Sequence, residues 1–175
     1  MGRKGRILVF TGTGKGKTTR ALGWGLQAVT TGLNVYMIQL LKAPDSSGEH
    51  FAAKRLGTAF TIEPMGKKGF IRKQEADHTD RLMAERALEK ARTIMLGGNY
   101  DVIILDEINV AVRLNLVSRE NVLDLMAAKP EHLDLVLTGR DAHPDICARA
   151  DEVLEMVNIK HHFDSGVRAM RGIEY

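Results

Sequence analysis

The feature that most constrains this chain is a junction near its N-terminus. Residues 6–11 form a short apolar run, R-I-L-V-F-T, which stops at Gly12-Thr13-Gly14-Lys15-Gly16-Lys17-Thr18-Thr19. The run is short, partly β-branched and aromatic, and reads as a buried strand. Residues 17–32 place Leu22, Leu26 and Val29 at helical spacing, with Gly32 as C-cap, and read as a helix. A strand that turns through glycines into a helix directs successive backbone N–H groups at one point, and the helix adds its positive end there. Such a turn holds phosphate. Lys17 would reach the phosphate oxygens and the Thr18 hydroxyl would ligate Mg²⁺ or Mn²⁺, with Gly12, Thr13, Gly14, Lys15, Gly16 and Thr19 completing the cradle. The spacing departs from G-x-x-x-x-G-K-T, whose first glycine would fall on Thr11; Gly12 instead lies four residues before Gly16. The dinucleotide pattern G-x-G-x-x-G is not met, because Lys17 stands where its third glycine belongs.

The remaining elements follow the same alternation. Strands are expected at 34–41, 60–63, 101–105, 133–137 and 153–156. Helices are expected at 49–56 and 76–96, the latter with Ala84, Leu88, Ala91 and Met95 along one face, and a helical region runs on to residue 128. Alternating strands and helices predict a mainly parallel sheet covered on both faces, a three-layer α/β fold. Ligands of such sheets sit beyond the carboxyl ends of the strands. The aliphatic run 102–105 ends there in Asp106-Glu107, two hard oxygen donors suited to a divalent cation bound to polyphosphate. Neighbours on a strand point to opposite sides, so one carboxylate is expected to meet the metal while the other orients its surroundings.

Composition narrows the classes further. The 175 residues suit one domain, 1–175, with 1–5 as a short basic tail, and 44% hydrophobic with 27% charged residues is a globular mixture. A formal charge of +3 is accounted for by Arg3, Lys4 and Arg6, so the rest of the chain is formally neutral. That balance argues against a nucleic-acid binder. The apolar runs are far shorter than a membrane span, no secretory leader is apparent, and the single cysteine, Cys147, excludes an internal disulfide. No membrane association and a cytoplasmic location are the expectations, with Cys147 as a small core residue. His161 and His162 point apart on an extended segment, so the tail with Asp164 reads as packing or substrate contact rather than a metal site.

Five blocks in order carry a resemblance: G-T-G-K-G-K-T-T at the loop, D-E-I-N at Asp106 to Asn109, T-G-R at Thr138 to Arg140, A-D-E-V-L-E-M at Ala150 to Met156, and the tail K-H-H-F-D-S-G-V-R-A-M-R-G-I-E-Y. The chain resembles the P-loop ATP:corrinoid adenosyltransferases from about Arg6 to Tyr175, and the shifted glycine spacing belongs to that family's pattern. The resemblance implies a P-loop NTPase-like fold and transfer of the 5′-deoxyadenosyl group of ATP to the Co(I) of a reduced corrinoid, in adenosylcobalamin synthesis or salvage. Inorganic triphosphate leaves intact. It implies nucleotide contacts from Asn109 and Arg140, and catalytic roles for Lys17, Thr18 and Glu107. Phe70, in the cation-rich stretch 64–74, matches the family's corrinoid-contacting aromatic, and Arg72 stands where some members carry tryptophan. Lys67, Lys68, Arg72 and Lys73 otherwise read as a solvated basic loop. The family further implies a homodimer, an electron-donor flavoprotein, and a lid that is short or absent here. Two other activities use the same loop: a kinase or ATPase cleaving between the β- and γ-phosphates, and a carrier that holds nucleotide or corrinoid without turnover.

Overall fold

The computed structural model describes residues 3–44, 48–67 and 77–160. Six strands form one parallel sheet: β1 (Ile7–Thr11), β2 (Val35–Gln39), β3 (Phe60–Pro64), β4 (Val102–Asp106), β5 (Asp134–Thr138) and β6 (Glu152–Glu155), in the order β3-β2-β4-β5-β1-β6. The helices are α1 (Lys17–Thr30), α2 (Gly48–Arg55), α3 (His78–Leu96), α4 (Ile108–Arg113), α5 (Arg119–Ala127) and α6 (Pro144–Arg149), with one 3₁₀ turn at Gly57–Ala59. The expected α/β architecture is present.

Pleating sends alternate residues to opposite faces, and both faces are apolar. Leu8, Phe10, Val35, Met37, Val102, Ile104 and Val136 point into one core under α1, while Val9, Ile38, Ile103, Leu105, Leu135 and Leu137 point into the other under α3, α4, α5 and α6. This explains strands that read as continuous aliphatics. α3 buries the expected Ala84, Leu88, Ala91 and Met95, and a reciprocal capping box between Asp77 and Asp80 starts it.

Two expectations change. α1 turns Ala21, Gly25 and Ala28 to the sheet, whereas Leu26 is 47% exposed. The helix lies so close that a Cβ on Gly25 would stand 2.7 Å from the Phe60 ring, so small residues make the contact. The helical region after Glu107 is two helices, broken where Asn115 takes φ 58°. Within the basic tail, Arg3 pairs at 2.5 Å with the buried carboxylate of Asp134, which also accepts from Arg6 N–H (2.8 Å) and Trp24 Nε1–H (3.2 Å).

No helix among the described residues is long and apolar enough to cross a membrane. Cys147 is partly buried against the α3 side of the core, and burial raises its thiol pKa.

Strand order decides what can meet. β5 lies between β4 and β1, so the carboxyl ends of all three converge on one edge, and register places Gln39 of β2 beside Asp106 of β4.

Candidate active site

The glycine loop leaves β1 at Gly12, whose φ of 97° is open to glycine at little cost. A Cβ there would stand 2.4 Å from Met156 O, and one on Gly14 would stand 2.8 Å from the same atom. Gly14 N–H donates to Met156 O at 2.7 Å and Met156 N–H donates to Thr11 O at 2.8 Å, so the loop is pinned to the chain that follows β6. The displaced first glycine now has a reason. Thr11 is still a strand residue and needs no positive φ, and its hydroxyl accepts Ala142 N–H at 3.1 Å, a bond that glycine could not make. Gly16, φ 108°, delivers the chain into α1.

Lys17 is buried and its Nζ donates to Gly12 O (2.9 Å) and Gly14 O (2.6 Å). An ammonium has three N–H donors, so one remains to be shared with an anion over the loop. Burial, then the charge of Arg140, lowers the Lys17 pKa, against the opposing charges of Glu107, Asp141 and Asp106. Thr13, Lys15 and Thr19 are exposed around the loop and first turn, and Arg140 is exposed just past β5.

Asp106, the last residue of β4, is fully buried. Thr18 Oγ1–H donates to its Oδ1 at 2.8 Å and Thr138 Oγ1–H donates to the same oxygen at 2.7 Å. Thr138 in turn accepts the N–H of Glu107 at 3.0 Å. Glu107 does not continue the strand; it takes φ 65°, ψ 18° as the N-cap of α4. The two carboxylates are therefore aimed by a left-handed turn, not by strand alternation. A non-glycine residue there stores of order 1–3 kcal/mol of strain. Burial, then the neighbouring Asp106, raises the Glu107 pKa, partly offset by Lys42, Lys17 and Arg140.

Asn109 is wholly buried in α4, where its Nδ2 donates to Gly139 O at 3.4 Å and its Oδ1 has no hydrogen-bond partner among the described atoms. Gly139 has φ 129°, and a Cβ there would meet Asn109 Cβ at 3.0 Å. Asn109 thus supports the turn that presents Arg140. Lys67 is a solvent-accessible cation that also pairs with Asp77 and Asp80, each at 3.0 Å, at the start of α3. Phe70, Arg72, Lys68, Lys73, His161, His162 and Asp164 lie outside the described residues.

The donor set suits Mg²⁺ held with a polyphosphate. Thr18 commits its hydroxyl proton to Asp106, leaving oxygen lone pairs for a cation, and Glu107 supplies a hard carboxylate. No three His, Cys, Asp or Glu side chains gather into a metal-holding group among the described residues, so phosphate oxygens and water would complete the coordination.

Three side chains around Asp106 were not singled out in the sequence, Gln39, Lys42 and Glu49, and a fourth, Thr138, was named only within the T-G-R block and given no role. Thr138 carried one readable signal, a threonine closing an apolar strand just before Gly139-Arg140.

The family profile described as ATP:corrinoid adenosyltransferase BtuR/CobO/CobP matches residues 3–175. The chain is 36% identical to the corrinoid adenosyltransferase CobA of Salmonella typhimurium over 172 residues, covering 98% of this chain and 86% of that protein. It is 36% identical to a Sinorhizobium corrinoid adenosyltransferase over 174 residues, 98% of this chain and 81% of the other. Among solved structures, the fold resembles a KaiC-like protein, PH0186, from Pyrococcus horikoshii (TM-score 0.60, 17% identity, 90% of this chain and 75% of that one). It also resembles the flagellar accessory protein FlaH of Methanocaldococcus jannaschii (TM-score 0.58, 17% identity, 88% and 72%).

Proposed function

The chain belongs to the ATP:corrinoid adenosyltransferase family, whose members adenosylate corrinoids with ATP, and we propose that its site performs the transfer by holding the triphosphate of ATP as a leaving group. The observation that carries this reading is the convergence of Lys17, Thr18, Asp106 and Glu107 at adjoining strand ends, with the Thr138 hydroxyl joining the Asp106 carboxylate to the backbone N–H of Glu107. Nothing in that cluster pairs a protein nucleophile with a base. The nucleophile is the substrate's own Co(I).

Its electron pair forms a bond to ribose C5′ as the bond from C5′ to the α-phosphate oxygen breaks, and the departing triphosphate keeps the electron pair of that broken C5′–O bond. Cobalt becomes formally Co(III). No proton need move at the reacting carbon. The protein's task is alignment and charge. Lys17 and the loop N–H groups other than that of Gly14, which Met156 O holds, meet the phosphates, and Arg140 meets the same charge from the β5 side. Asn109 acts behind it by holding Gly139. Thr18, Asp106 and Glu107 form the metal side, where Mg²⁺, when bound, would disperse the charge that grows on the triphosphate. Phe70 is assigned to the corrinoid face, and residues 1–175 to one catalytic domain. A flavoprotein electron donor and a homodimer complete the reading.

The test is direct. Protein mixed with Mg·ATP and chemically reduced cob(I)alamin should form light-sensitive adenosylcobalamin, read by its absorption spectrum. A folded protein that forms none rejects the proposal.

A further inference from the structure

The end of β2 reaches the same carboxylate from the opposite side. Gln39 is fully buried, and its Nε2 donates to Asp106 Oδ2 and to Glu49 Oε1, each at 3.1 Å. Ionised carboxylates only accept, so these contacts fix the amide orientation. Gln39 Oε1 must then accept, and it takes His50 Nε2–H at 2.6 Å. Lys42 Nζ donates to Glu49 Oε1 at 2.7 Å and lies 3.3 Å from Asp106 Oδ2. Both Glu49 and His50 belong to α2, so an entire helix is tied to Asp106 through Gln39 and Lys42.

Acceptor capacity gives this arrangement a consequence. An ionised carboxylate has about four lone-pair positions. Thr18 and Thr138 use those of Oδ1; Gln39 and Lys42 use those of Oδ2. We infer that Lys42 and Gln39 are positioning residues that keep Asp106 out of the metal's own coordination shell. Asp106 then acts only through the Thr18 hydroxyl, leaving Thr18 and Glu107 as the direct protein ligands. Lys42 does this as a shared counter-charge: without it, the Glu49 and Asp106 carboxylates would face each other across the Gln39 amide, which gives each only one N–H.

The inference rests on the proposed Mg·ATP site, and its test separates the two. Lys42→Met removes the cation and frees one of the two acceptor positions of Oδ2, the other still taken by Gln39, so Asp106 gains a lone pair for the metal. Mn²⁺ binding, followed by the loss of the free-ion electron paramagnetic resonance signal in the presence of ATP, should tighten by about tenfold, from a lost like charge and a gained ligand. Turnover should fall over the same comparison, because the over-ligated metal no longer leaves the phosphates free to align. Lys42→Arg should restore both values toward those of the parent. The double variant Lys42→Met/Glu49→Gln repeats the test without leaving Glu49 unpaired, should the single variant fold poorly. Unchanged or weaker Mn²⁺ binding in the folded variant, or an equal loss of ATP affinity in EDTA, overturns the role. A parent protein with no ATP-dependent Mn²⁺ binding at all would instead reject the metal site on which the inference rests.

Discussion

Thr138 offers the sharpest perturbation, because one buried hydroxyl serves two functional groups. It donates to Asp106 and accepts from Glu107 N–H, and it is fully buried. Thr138→Val keeps the shape and removes both bonds. A hydrogen bond to a charged group contributes about 1.5–3 kcal/mol, and a buried N–H left unpaired costs about 1–3 kcal/mol. Some of this is recovered by relaxation, so the expected loss is about 3 kcal/mol. For a protein of this size that is roughly 6–12 °C in Tm. Function should suffer in parallel: the Asp106 carboxylate loses one of its anchors and Glu107 loses the bond that holds its left-handed turn. Comparable supporting contacts around metals are worth about 10–100-fold, and that is the expected drop in adenosylation rate with pre-reduced corrinoid. Thr138→Ser, which retains the hydroxyl, should lose about 1 kcal/mol of packing and most of neither activity nor Mg·ATP affinity. Calorimetric melting beside a steady-state assay makes the comparison. A valine variant matching the parent in both, or a serine variant as impaired as valine, would refute the reasoning.

Other positions give independent checks. Lys17→Ala should fold and lose most triphosphate binding and turnover, since a buried anion site loses its charged donor; near-parental ATP affinity by calorimetry would refute the assignment. Gly14→Ala should disrupt the loop, because its Cβ would meet the backbone of Met156 and Val157 at 2.8 Å, and should lower nucleotide affinity more than Gly23→Ala, which meets nothing within 4 Å. Glu107 has a raised folded pKa relative to 4.5. Its stabilising contribution is complete below that value and is lost as pH rises through the folded pKa. Metal- and nucleotide-free Glu107→Gln should therefore be more stable than the parent at neutral pH, with the gap closing toward pH 4.5 in denaturant melts.

What the sequence made legible was local. Gly12 to Thr19 and Asp106-Glu107 each combine a strand with the chemistry that follows it, so the short window contains the whole signal. Thr138, Gln39 and Lys42 matter only because β5 lies between β4 and β1 and β2 lies beside β4, an order that no window of residues encodes. The α1 face misled for a related reason: Leu26 fits the helical period, but the close approach to Phe60 rewards Ala21, Gly25 and Ala28 instead. α6 was signalled by Pro144 at its first turn and Asp145 behind His143, yet six residues are too few for periodicity to emerge. The separation of Asp106 from Glu107 depended on a left-handed backbone at Glu107, which residue type does not announce.

The central claim is that the bond broken lies between ribose C5′ and the α-phosphate oxygen. Phosphorus NMR of a completed reaction tests it most directly. The account predicts one inorganic triphosphate per adenosylcorrinoid formed, with little ATP consumed when reduced corrinoid is withheld. Stoichiometric ADP and phosphate, or ATP consumption indifferent to corrinoid, would contradict it.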